Sequence, residues 1–104
     1  MKGYVYLLCD GYKFKIGMTC QNDIYKRISE LQTGNPNEIF LSSYYKTNYP
    51  YRIEQMMHLK FKSSNVMNEW FELTSDQVIH FKDLCIECEN ILNSLKENPF
   101  IKFC

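Results

Sequence analysis

The chain has 104 residues, and its 12 Lys and Arg balance 12 Asp and Glu to a formal net charge of zero. That length gives one domain with a real core but not two, and the neutral sum argues against a strong free-standing nucleic-acid binder. No run approaches the roughly 18 apolar residues of a membrane span, and the N-terminus lacks the apolar core of a signal peptide, so a soluble, intracellular protein without a membrane partner is expected. Charge is unevenly spread: residues 1–62 hold nine basic and five acidic side chains, and residues 63–104 hold three and seven. Five cysteines, an odd number without framework spacing, fit reduced thiols better than disulfides.

Gly3 to Met18 reads GYVYLLCDGYKFKIGM, a strand-forming run interrupted by Asp10-Gly11, the two-residue signal for a type I′ hairpin. Pairing across that turn sets Cys9 against Tyr12, Leu7 against Phe14, Tyr6 against Lys15 and Tyr4 against Gly17. Because side chains alternate, Val5, Leu7, Cys9, Tyr12, Phe14 and Ile16 form a core face. The other face carries Tyr4, Tyr6, Leu8, Lys13, Lys15 and Gly17. It places a phenol beside an ammonium, with Gly17 leaving room for a ligand to approach the backbone. A Tyr beside a Lys is equally an ordinary pair on a solvated face.

Asn22 or Asp23 caps a helix that continues IYKRISELQT and stops at Gly34, with Asn35-Pro36 preventing resumption. Ile24, Ile28 and Leu31 form its buried stripe. Arg27 shares that stripe, so its guanidinium reaches a cleft, snorkels to water, or pairs with a carboxylate such as Glu30. Glu38 to Thr47 reads as a third strand. Pro50 opens a second helix through about Ser63, with Ile53, Met56, Met57 and Phe61 as apolar contacts. Glu54 and His58, four apart, stack on one of its faces, a spacing that surface pairs also show.

A polar loop, Ser63 to Asn68, leads to a short strand at Glu69 to Leu73 whose Trp70, Phe71 and Leu73 are core candidates. Thr74 and Gln77 form a capping-box pattern for one long helix to about Lys96. Its positions Val78, Phe81, Cys85, Cys88, Leu92 and Leu95 make a narrow seam that packs on the domain or pairs with a second chain. Cys85 and Cys88 form a CxxC with no second pair to complete a zinc site, so they read as buried thiols. The apolar tail Pro99 to Cys104 is expected to pack or dock.

Taken in order, YVY at Tyr4 to Tyr6, KIG at Lys15 to Gly17 followed by Met18-Thr19, Arg27, LQTGNP at Leu31 to Pro36, Glu54 with His58, and the later EWF resemble the GIY-YIG nuclease superfamily. The likeness is to its phage and meiotic-gene branch, in which the second motif has Lys in place of Tyr, and it covers roughly residues 3–78. It implies an α+β fold: a small antiparallel sheet opened by a β-hairpin, flanked by helices and completed here by a long C-terminal helix, all in a single domain over residues 1–104. It also implies a divalent-metal-dependent endonuclease that cuts DNA by a one-metal mechanism. Carried onto matching positions, Glu54 becomes the ligand of a single Mg²⁺ or Mn²⁺, Arg27 the contact to the scissile phosphate, and Tyr6 the activator of water.

Such parts suit the reaction, in which charge builds on nonbridging and leaving oxygens and is met by a fixed guanidinium and a metal. A phenol of ordinary pKa near 10 is a poor base at neutral pH. Lys15 lowers it by favouring phenolate, or holds the water itself, and His58 moves a proton or touches phosphate. Lys15 is the departure from the name motif. No separate recognition domain accompanies the site, so specificity is expected to be low, supplied by a protein partner, or made by a homodimer. Two competing readings follow: a catalytically silent module that binds nucleic acid or a protein partner in a larger assembly, and a CxxC redox or zinc protein.

Overall fold

A computed structural model of the protein describes residues 2–96. Five strands form one antiparallel sheet in the order β3-β1-β2-β5-β4, with β1 Gly3–Cys9, β2 Phe14–Thr19, β3 Phe40–Thr47, β4 Asn65–Met67 and β5 Trp70–Phe71. Helices α1 Ile24–Thr33, α2 Pro50–Lys60, α3 Ser75–Ile79 and α4 Phe81–Lys96 complete the fold. The α+β architecture expected from sequence is therefore the one observed. The apolar tail from Pro99 lies outside the described residues.

The hairpin forms in a different register from the one its Asp-Gly signal predicts. Cys9 faces Phe14, Leu8 faces Lys15 and Tyr6 faces Gly17, so the connection spans Asp10 to Lys13. The Asp10 carboxylate explains the wider turn: its Oδ1 accepts the backbone N–H groups of both Tyr12 (2.9 Å) and Lys13 (2.7 Å), which also holds that carboxyl below its ordinary pKa. Within this turn only Gly11 takes a positive φ, +94°, whereas a type I′ turn needs two. A slip of two residues changes partners but not faces. Tyr6 and Lys15 thus stay on one side, as diagonal rather than direct neighbours.

Both sides of the sheet are covered. Val5, Leu7 and Ile16 pack with Ile53 and Met57 of α2 and with Phe81, Cys85, Cys88 and Leu92 of α4. Tyr6 and Leu8, expected on the open face, are buried with Ile24 and Ile39, against Ile28 and Leu31 of α1. Helix α1 starts as expected, with Asp23 Oδ1 accepting from Tyr25 and Lys26, and ends at Gly34.

Pro50 begins α2, which ends at Lys60, and a 3₁₀ turn at Lys62–Ser64 follows it. The stretch read as a polar loop contains β4, an exposed edge strand. Its turn is closed by Asn68 at φ +54° and by the Asn65 side chain, which donates to the carbonyls of Asn68 and Trp70.

The long C-terminal helix is two helices. The Thr74 and Gln77 capping box forms in both directions, at 2.9 and 3.2 Å, but α3 ends at His80 and α4 restarts at Phe81. The break brings Phe81 fully into the core. The α4 seam is spent on the sheet: Phe81, Cys85, Cys88 and Leu92 are buried against it. Burial pushes the Cys85 thiol up to about 12 and raises Cys88 as well, the opposite of an activated redox thiol.

Candidate functional site

The expected constellation does assemble, with changed neighbours. Tyr6, on the central strand β1, is only 1 % exposed. Its ring lies across Gly17, where a Cβ would come within 2.5 Å of the phenolic oxygen. The space expected above Gly17 for a ligand is therefore filled by Tyr6 itself. Glycine is required because no side chain fits beneath that ring.

The cation that Tyr6 meets is Arg27, not Lys15. Arg27, on the inward stripe of α1, lies close enough for its guanidinium charge to act on the phenol. Arg27 also approaches Glu30 at 3.9 Å, so the carboxylate alternative is realised. Burial nevertheless raises the Tyr6 pKa, and Arg27 lowers it by less. Phenolate is thus not favoured at neutral pH, which overturns the expectation that Lys15 would favour it.

Lys15 turns to Glu69. Its Nζ lies 2.9 Å from Glu69 Oε2 and 5.7 Å from the Trp70 ring centre, because β2 pairs with β5 and sets Lys15 against Trp70. Glu69 was not singled out in the sequence. It lies 54 residues from Lys15, and only the β2–β5 pairing joins them. The one cue was its place at the head of EWF.

Helix α2 brings Glu54 and His58 to the same place. Glu54 is 7 % exposed, and its pKa is raised, first by burial and then by the charge of Glu69, with His58 and the Gln55 amide acting in the opposite sense. His58 Nε2 lies 2.8 Å from the Ile16 carbonyl oxygen and its ring packs edge-on to Phe71 at 5.1 Å. A carbonyl only accepts, so Nε2 carries the proton and Nδ1 keeps the lone pair of the neutral ring.

Glu54, His58 and Glu69 each offer a ligand atom, all within 4.8 Å of one another. Ligands around an octahedral cation with bonds of about 2.1 Å stand about 3 Å apart, so small side-chain rotations close the set. Two carboxylates and an imidazole whose other nitrogen is tied to a backbone carbonyl are a fitting donor set for a divalent cation. A buried carboxylate whose nearest charge is another carboxylate also gains most from one.

Two cavities flank Trp70. One of about 290 Å³ is lined by Lys15, Glu30, Leu31, Gly34, Asn35, Ile39 and Trp70. The other, of about 220 Å³, shares Asn35 and Trp70 and opens beside Lys13 and Val66.

Compared with known families, the chain matches the T5orf172 domain over residues 3–86. It therefore belongs to the T5orf172 domain family, a nuclease-like family. This corrects the GIY-YIG assignment: the model that spans most of the chain is T5orf172, whereas YVY and KIG are tripeptides, the second already altered at Lys15. No curated protein and no solved structure matches. Among the described residues no helix is long and apolar enough to cross a membrane.

Proposed function

We propose that this T5orf172-domain protein is a divalent-metal-dependent endonuclease that hydrolyses DNA phosphodiester bonds at the Tyr6, Arg27, Glu54, His58 and Glu69 cluster. The observation that carries the reading is the buried Glu54 carboxylate set against Glu69 and His58 within 4.8 Å. A structural role gives little reason to bury the Glu54 carboxylate beside a second carboxylate.

Glu54, Glu69 and His58 hold one Mg²⁺ or Mn²⁺. When bound, such a cation supplies Lewis acidity, polarising a phosphoryl oxygen and easing ionisation of water. Arg27 meets the nonbridging oxygens of the scissile phosphate, where negative charge grows. Tyr6 stands beside Arg27, and with its pKa raised by burial it remains at neutral pH a phenol with its own proton to donate. Lys15 holds Glu69 in place, a role different from the base or phosphate contact expected at that position. The Ile16 carbonyl fixes the His58 tautomer. The basic excess in residues 1–62 suits a polyanionic substrate.

Incubation of the purified protein with supercoiled plasmid and Mg²⁺ or Mn²⁺ tests this. Nicked circles are expected from the wild type and not from Glu54→Gln. No cleavage with any metal, or cleavage undiminished in Glu54→Gln, overturns the assignment in favour of a silent binding module.

A further inference from the structure

Two sequence motifs are not used by the hydrolytic chemistry, LQTGNP at Leu31 to Pro36 and the Trp of EWF. The fold brings them together. Gln32 builds the loop after α1: its amide donates to the carbonyls of Asn35 (3.4 Å) and Asn37 (2.8 Å), and its Oε1 accepts the Ile39 N–H at 2.7 Å. Asn35 Oδ1 further accepts the Asn37 N–H at 3.0 Å. A loop fixed at four points is a preformed wall. It faces Trp70 across the cavity of about 290 Å³, with Lys15 at the rim.

We infer that this cavity is a subsite for one unpaired nucleobase of the DNA strand, stacked on Trp70 and met at its edge by the Asn35 amide. The choice of ligand rests on the proposed hydrolysis for its polymer, and on the cavity for the rest. Trp70 is half-buried, packed on the Tyr6 and Leu8 core, so it is a rigid aromatic wall rather than a mobile side chain. Aromatic stacking accepts any base, and an asparagine amide offers both donor and acceptor to a base edge. A base inside a duplex has both faces covered by its neighbours, so only an unpaired one can enter. Lys15 already stands beside the Trp70 ring, and Lys13 lines the adjoining cavity where the strand would continue. Flapped, bubbled or otherwise unpaired DNA is thus the preferred substrate class.

Trp70 is the only tryptophan in the chain, so its emission reports on the two adjoining cavities that flank it. The test titrates the full chain, with chelator present to prevent turnover, against a short oligothymidylate, the matching blunt duplex, heparin, and an acidic peptide. The single strand should quench Trp70 saturably and at least about tenfold more tightly than the duplex, since one lost stack costs about that factor. Trp70→Leu and Asn35→Ala should each weaken binding of a labelled single strand about tenfold by fluorescence anisotropy. The Asn35 variant keeps the test decisive if Trp70→Leu does not fold. Binding without quenching, quenching by duplex or heparin as strong as by single strand, or quenching by the peptide instead, overturns the subsite. Plasmid nicking that persists with unquenched Trp70 sinks this inference and leaves the hydrolytic reading standing. Quenching without hydrolysis under any metal does the reverse.

Discussion

Two carboxylates of this protein, Glu89 on α4 and Glu54 on α2, are held in opposite ways. Glu89 accepts hydroxyl hydrogen bonds from Tyr45 and from Thr47, the latter at 2.6 Å, and the neighbouring Tyr49 hydroxyl donates to Asn93 at 2.7 Å. Those bonds seam β3 to α4, and burial together with the Glu89 carboxylate pushes the Tyr45 phenol up to about 12. Glu54 accepts one amide bond, from its neighbour Gln55 at 3.1 Å, and faces Glu69. Each Glu89 oxygen has a hydroxyl donor, as a structural residue should. Glu54 is buried with a single amide donor and a second carboxylate beside it, surroundings that raise its pKa and mark a functional position more than a structural one.

The sharpest way to break this contrast is to neutralise each carboxylate. Glu54→Gln is expected to lower plasmid nicking by about 10²-fold or more while leaving thermal stability equal or higher. Glu89→Ala should do the reverse, costing about 2 kcal/mol in urea denaturation because the Tyr45 and Thr47 hydroxyls lose their acceptor, with nicking per folded molecule unchanged. If both variants only destabilise, Glu54 is structural and the contrast fails.

A pH series sharpens the same point. The Glu54 pKa is raised in the folded protein above its ordinary 4.5. As pH climbs past that value, the unfolded carboxyl ionises while the folded one keeps its proton. The folded state then binds more protons, so this group makes stability fall with rising pH until its folded pKa is passed. Below the ordinary value the penalty vanishes. Melting curves of wild type and Glu54→Gln from about pH 4 to about pH 8 should therefore converge at the acid end and diverge, with the variant more stable, towards neutrality. Parallel curves would remove the physical basis for singling out Glu54.

A smaller effect is expected at Lys15. Lys15→Met frees Glu69 from its half-exposed ion pair, so the fold should lose no more than about 1 kcal/mol, while Mn²⁺ affinity shifts measurably in isothermal titration. An unchanged affinity would detach Lys15 from the site. The smallest effect is chemical: Cys85 and Cys88, with thiol pKa values raised by burial, should react with a thiol reagent only on unfolding, at the rate of global opening.

Much of this molecule was legible where local chemistry decides. A cap at Asn22 or Asp23, of which the structure uses Asp23, the Thr74 and Gln77 box and Pro50 at the head of α2 follow from spacing alone. Legibility failed where a side chain or a distant strand intervened. Asp10 widened its own turn by capping Tyr12 and Lys13 and moved Tyr6 from Lys15 to Gly17. The alternation that placed Tyr6 and Lys15 on one face survived, because a two-residue slip preserves faces. Glu69 could not be read as a partner of Glu54 because only the β2–β5 pairing brings it there. The helix break at His80 was hidden by an apolar spacing that runs on through it.

The central claim is that Glu54, His58 and Glu69 hold a divalent cation. A crystal grown with Mn²⁺ and measured for anomalous scattering tests it most directly. The account predicts one strong peak bonded to both carboxylates and to His58, with Arg27 left facing the open side. A peak elsewhere, or none among these three residues at saturating Mn²⁺, would contradict it.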